Sequence, residues 1–200
     1  CRSPMASALF RSAAARIFPA GVEVEADSAG LAAIAGAPAA PPAVEVMKAR
    51  GIDISGHRSA PVGDDAPQYD LILAMTEEHK AALLLRYPEA AAKVFTLKEY
   101  AAFADAAEAD RERELQQKKS EAYVKLAIGQ PLTDEERQLL RDDDLSGKYD
   151  IADPFGGSRQ EYEETAREIE SLLQRIVAQW AADQAKFSTE GAADSSNGKD

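Results

Sequence analysis

A single cysteine, two histidines and a single tryptophan stand among 200 residues. One cysteine closes no internal disulfide, so the fold must rest on its packed core, and the count suits a reducing, cytoplasmic compartment. Positive charge is scarce: 23 Lys and Arg against 35 Asp and Glu leave a net charge of -12. That balance excludes nucleic acid as a partner, because its phosphates would be repelled. No apolar run approaches the roughly 20 residues of a membrane span, so no membrane partner is expected. No His, Cys or carboxylate spacing suits a metal, and no cofactor is expected. No internal repeat is present.

What remains is ordinary globular material. Hydrophobic residues make up 45% of the chain, and its length suits one domain with additions. Met5, Leu9, Ala13 and Ile17 recur every four residues and predict a helix from Ser3 to Phe18, with Ser3 as N-cap and Pro4 in the first helical position. Val22, Val24 and Ala26 alternate with Glu23 and Glu25 and predict an edge strand. Ala43 to Arg50 reads as a short helix stopped by Gly51. Asp70 to Met75 is a nearly continuous apolar strand, Thr76 caps a helix from Glu77 to Tyr87, and Lys93 to Leu97 is a further strand. Strands alternating with helices in this rhythm predict an α/β fold with a doubly wound parallel sheet.

Residues 102–149 interrupt that rhythm. Ala102 to Ile128 is rich in Ala, Glu, Arg and Lys and should be helical. Gly129-Gln130-Pro131 breaks it, and Thr133 with Glu136 forms a capping box for a second helix through Arg141. This charged helical insertion reads either as a solvated hairpin or as a lid or docking arm for a protein partner, since it enters directly before Asp153. Ser158 caps a last long helix whose stripe is Tyr162, Ala166, Ile169, Leu173, Ile176 and Trp180. Residues 188–200 lose all apolar periodicity and read as a disordered tail. The expected organisation is therefore a domain over 1–101 and 150–187, an insertion over 102–149 and the tail.

Chemistry concentrates in the opening stretch, Cys1-Arg2-Ser3-Pro4-Met5-Ala6. A helix start exposes N–H groups and the positive end of its dipole, which suit an oxyanion, and Arg2 adds a planar fork for bidentate phosphate contact. Local signals alone allow a plainer reading, a capped amphipathic helix. Asp153-Pro154 is by itself a turn. His57, a lone histidine in an irregular crossing, reads as structural, and His79 as a surface residue on the helix after Thr76.

Five ordered matches favour the chemical reading. Cys1 to Ala6, Asp27-Ser28-Ala29-Gly30, Gly51 to Ser59, Tyr69 to Thr76 and Asp153-Pro154-Phe155-Gly156-Gly157 resemble, in sequence and order, the low-molecular-weight protein-tyrosine-phosphatase family. The run from Phe95 to Tyr100 leans toward its bacterial members, which include protein-arginine phosphatases. The resemblance covers residues 1 to about 100 and 150 to about 178.

It implies a site in which Cys1, Arg2 and Ser3 bind phosphate. Arg2 is the catalytic arginine, Asp153 the general acid, and Phe155 a wall of the substrate slot, open on the side of Gly156. Ser28 at the mouth and His57 beneath the loop give support. The substrate implied is a phosphorylated protein, phosphotyrosine or phosphoarginine, cleaved through a cysteinyl-phosphate without metal. In the family the nucleophile is the first Cys of Cys-x5-Arg. Arg2 is that arginine, so Cys1 is its neighbour and not the nucleophile. The chain is therefore expected to be a fragment, inactive by itself, with the nucleophile and the first central strand of the sheet lying before residue 1. Without that strand, the apolar faces of the first and last helices should lack their platform. A lipid-modified start on Cys1 would leave all five motifs as coincidence. The single cysteine tells against thioredoxin-coupled arsenate reductases, which share the fold. The competing reading is a catalytically dead, phosphatase-like scaffold whose insertion engages a partner.

Overall fold

The computed structural model describes residues 1–19, 22–104, 109–144 and 147–194, with backbone alone at 109, 111–112, 142–144 and 186–194. Helix α1 spans Arg2–Ile17. Its cap stands two residues earlier than expected: Cys1 occupies the N-cap position without a side-chain cap bond, and Ser3 and Pro4 both lie inside the first turn. Pro4 is tolerated there because first-turn N–H groups have no intrahelical acceptor. Met5 and Leu9 are buried, but Ile17 is 39% exposed. A strict four-residue repeat drifts by about 40° per step on a helix of 3.6 residues per turn, so the stripe rotates out of the core.

Among the described residues the sheet has two parallel strands, β1 (Ile72–Ala74) and β2 (Val94–Thr96), paired Ile72 to Val94, Leu73 to Phe95 and Ala74 to Thr96. Helix α3 (Glu77–Arg86), capped by the Thr76 side chain accepting from His79 N–H, makes the crossover. Side chains alternate across β1. Ile72 and Ala74 join Leu83, Leu84, Tyr87 and Val94 in one core, whereas Leu73 and Met75 join the core built by α1, helix α2 (Pro41–Ala49) and the last helix. Helices thus cover both faces of a parallel sheet, and the protein is α/β.

The expected edge strand over 22–26 does not form. Its side chains alternate between half-buried and exposed, and Val24 and Ala26 pack on the core, but backbone becomes a strand only when a neighbour takes its N–H and C=O groups. Among the described residues the early chain pairs only at isolated bridges, Gly30 with Pro61 and Pro38 with Arg58.

Helix α7 (Arg159–Asp194) is entered through a reciprocal cap: Ser158 N–H donates to Glu161 Oε2 (2.6 Å) and Glu161 N–H to Ser158 Oγ (3.3 Å). Tyr162, Ala166, Ile169, Leu173 and Ile176 are buried as expected, and Trp180 stacks edge-on against Phe10 and Tyr100. The stripes of α1 and α7 bury together with Leu73 and Met75, so they do not lack a platform. The helix continues to Asp194, past residue 187, where a disordered tail was expected; residues 195–200 of that tail lie outside the described residues.

The insertion is helical but divided differently from the single run expected over 102–128. Helix α4 (Leu97–Ala102) closes the β2 connection with a capping box between Thr96 and Glu99, and helix α5 spans Ala109–Ala127. Gly129, at φ 73°, turns the chain toward helix α6 (Asp134–Asp144), whose Thr133–Glu136 capping box forms with bonds of 2.8 and 3.2 Å. The solvated hairpin is not what forms. Gln116, Lys119, Ser120 and Ala122 of α5 are buried. The buried Lys80 ammonium of α3 donates to both Glu99 oxygens (3.2 and 3.0 Å) and to Gln116 Oε1 (3.0 Å). No helix among the described residues is long and apolar enough to cross a membrane.

Candidate active site

The chain leaves the insertion and returns to the carboxyl end of β1, the place where open α/β sheets bind ligands. Ile151 N–H donates to the carbonyl of Met75 (2.8 Å), and Ile151 itself is buried. Asp150 Oδ1 accepts the N–H of Glu77 (2.7 Å), so this carboxylate occupies the positive end of α3. These two bonds fix the loop that carries Asp153.

Arg2 reaches this loop from the first residue of α1. Nη1 donates to the carbonyl of Ile151 (2.5 Å) and Nη2 to Asp153 Oδ2 (3.2 Å). The guanidinium is 11% exposed and the carboxylate 53%, so a largely shielded cation faces an acid that opens to solvent. The first turn of α1 holds no acidic residue of its own, so Asp153 is the carboxylate that faces its N–H groups and Arg2.

Asp153 also shapes the turn beyond it. Its Oδ1 accepts the N–H of Phe155 (3.3 Å), Gly157 N–H donates to the carbonyl of Pro154 (2.9 Å), and Gly156 supplies φ 76°. The turn holds Phe155 79% exposed, which is unusual for a large apolar ring and available to a ligand. Cys1 Sγ lies 3.3 Å from the hydroxyl of Tyr162, a ring buried at the start of α7. Burial, and then the charge of Asp153, pushes the Tyr162 phenol above its ordinary range.

The structure thus brings together Arg2, Asp153 and, through Tyr162, Cys1, with Phe155 on the same turn. Ser3 sits in the adjoining helical turn. No hydrogen bond among the described residues ties Ser28 or His57 to this group. His57 N–H bonds back to Ile54 (3.0 Å), and its imidazole is held below its ordinary pKa by burial and then by neighbouring positive charges, Arg11 and Arg58 among them. Asp150, Tyr162 and His79 are the site neighbours that local pattern misses. Tyr162 carries a helix-stripe signal only, and Asp150 stands three positions before Asp153 without a motif of its own. His79 is half-buried rather than on the surface; burial and then the charge of Arg2 hold it below its ordinary pKa, against Glu78, Asp153 and Asp150.

These features define an α/β protein with an anion-suited site at the carboxyl end of a parallel strand. The family model of the low molecular weight phosphotyrosine protein phosphatases matches residues 1–126. The chain is 32% identical over 185 residues to a protein-arginine-phosphatase of Bacillus subtilis (strain 168), covering 92% of this chain and 91% of that protein. It is 46% identical over 104 residues to the probable low molecular weight protein-tyrosine-phosphatase EpsP of Ralstonia solanacearum, covering 52% and 67%. Among solved structures it is similar to a YwlE arginine phosphatase mutant with a phosphorylated active site serine, at 32% identity and a TM-score of 0.61, covering 90% of this chain and 88% of that one. The chain belongs to the low molecular weight phosphotyrosine protein phosphatase family, and its activity class is that of a protein phosphatase.

Proposed function

We propose that Arg2 and Asp153 are the anion-holding and proton-donating halves of a site that cleaves phosphotyrosine or phosphoarginine in a protein substrate through a cysteinyl-phosphate. The observation that carries this reading is the 3.2 Å contact between two groups 151 positions apart, at the end of a helix and the end of a strand. A phosphoryl group entering between them takes the place of the carboxylate on the guanidinium. Arg2 then bridges two equatorial oxygens and follows them into the transition state, assisted by first-turn N–H groups of α1. Asp153, released toward solvent, protonates the leaving oxygen or nitrogen and later activates the hydrolytic water. Phe155 forms the exposed wall against which the substrate side chain packs, and the Ser3 hydroxyl stabilises the sulfur. His57 and Ser28 act from outside this group as supports of the loop.

In the covalent step a thiolate forms an S–P bond as the P–O or P–N bond to the substrate breaks. The attacking sulfur in this reading is the first Cys of the Cys-x5-Arg pattern, a position that Cys1, adjacent to Arg2, does not occupy. A single cysteine also suits a cytoplasmic setting.

The test is turnover of phosphotyrosine and phosphoarginine peptides by protein that carries the attacking cysteine. Arg2→Lys replaces a fork with a point charge and should lower kcat/KM by about 100-fold or more. Near-wild-type turnover of that variant would remove Arg2 from the mechanism.

A further inference from the structure

A cavity of about 900 Å³ lies between the insertion and the edge of the sheet. One wall is β2, α4 and α7, which contribute Phe95, Tyr100, Phe103 and Trp180. These rings meet edge-on or tilted, with centroids 5.4 to 6.1 Å apart. The facing wall is α5, through Gln116, Ser120 and Val124 among others. None of the residues lining the cavity belongs to the candidate active site. Its volume lies in the upper part of the range of small-molecule sites, and its make-up, apolar rings with a few amide and hydroxyl groups, is theirs as well.

The charges at its rim decide what it would accept. Arg113 pairs with Asp110 and lies over the Phe103 ring, and Lys125 pairs with Glu136. Glu121 accepts from Gln117, and Asp183 accepts from Gln179. Both cations that line the cavity are already paired with carboxylates, so an anionic ligand would have to break one pair to gain another. Aromatic edges and faces, by contrast, favour a planar ring between them.

We infer that this cavity is a second binding site, for a neutral, planar aromatic small molecule held between the insertion helix α5 and the ring cluster of Phe95, Tyr100, Phe103 and Trp180. The inference is independent of the phosphatase reading, since it uses none of the same residues.

Trp180 is the sole tryptophan and lines the site, so its emission reports occupancy. Full-length chain is titrated with N-phenyl-1-naphthylamine, a neutral fluorophore that accepts energy from tryptophan. Saturable binding of one probe per chain is expected, with Trp180 emission falling as probe emission rises. Two variants fill the cavity from opposite walls, Val124→Phe from α5 and Ala92→Phe from the segment before β2. Each should weaken binding by about tenfold or more while leaving the far-UV circular dichroism and the melting curve unchanged. The sulfonated analogue 8-anilinonaphthalene-1-sulfonate should bind at least about tenfold more weakly than the neutral probe. Binding without saturation, several probes per chain, or indifference to both variants would overturn the site. Equal or tighter binding of the sulfonate would overturn its neutral character.

Discussion

Arg2 makes two different bonds with one side chain, to a fixed carbonyl and to a more exposed acid. Only the second is open to exchange with substrate, which gives the two residues separable roles. Asp153→Asn keeps the turn, because its remaining oxygen still accepts the Phe155 N–H, but it removes the proton donor. Turnover by protein that carries the attacking cysteine should fall by about 100-fold or more on alkyl-type leaving groups and much less on nitrophenyl phosphate, which leaves readily without a proton. An equal loss on both substrates would make Asp153 a turn residue only. That Arg2 and Asp153 meet, with Phe155 on the same turn, was legible in the sequence because each sits in a short run whose order along the chain is itself informative. Ser3 lies inside the first turn and not at its cap, because a cap pattern read locally does not say whether the residues before it are already helical. The hydroxyl of Tyr162 and the carboxylate of Asp150 carry no such pattern, since their partners, Cys1 and Glu77, are far from them in sequence.

At the level of elements, α5 is held by a buried polar junction. Lys80 and Glu99 are almost wholly excluded from water, and Gln116 of α5 completes the set. Truncating one member of a buried ion pair strands the other, so Lys80→Met should cost about 3–5 kcal/mol in urea unfolding. The double variant Lys80→Met/Glu99→Leu should regain most of this, falling short by the lost bond from Thr96 N–H to the Glu99 carboxylate, worth about 1 kcal/mol. If the double variant is no better than the single one, the pair is not the source of the loss. The helices and their capping boxes at Thr133 and Ser158 were legible because period and cap are local. The junction was not, because Lys80 and Gln116 look like surface residues until α3 and α5 are packed together. Residues 22–26 show the converse. Their alternation is visible in both sequence and burial, but a ladder depends on a neighbouring strand that no local pattern supplies.

For the whole molecule, both histidines are held below their ordinary pKa of 6.5, first of all by burial. As pH falls below about 6.5, the unfolded chain takes up protons that the folded one resists, so stability is lost on acidification. The paired carboxylates act lower down. Glu163, bonded to Arg50, and Glu161, bonded to the Ser158 N–H, are held below 4.5, and their contribution is lost only as pH drops through those depressed values. Urea midpoints should therefore fall between about pH 7.5 and about pH 5.5, and His79→Gln should flatten part of that slope. An unchanged slope in the variant would show that His79 titrates freely. The α/β class and the order of helices and strands were legible at this scale because apolar period survives averaging over many residues. The two-stranded extent of the sheet was not, since it depends on pairing.

The guanidinium contributed by residue 2 and the acid contributed by residue 153 meet only after 151 positions of chain have been closed into a loop. Closing so long a loop carries an entropic cost that short-range helices such as α5 and α6 do not bear. Refolding should therefore restore helical ellipticity first and affinity for inorganic phosphate afterwards. Stopped-flow traces recorded with both readouts would show that lag directly, making anion capture a late marker that the two ends of the protein have docked.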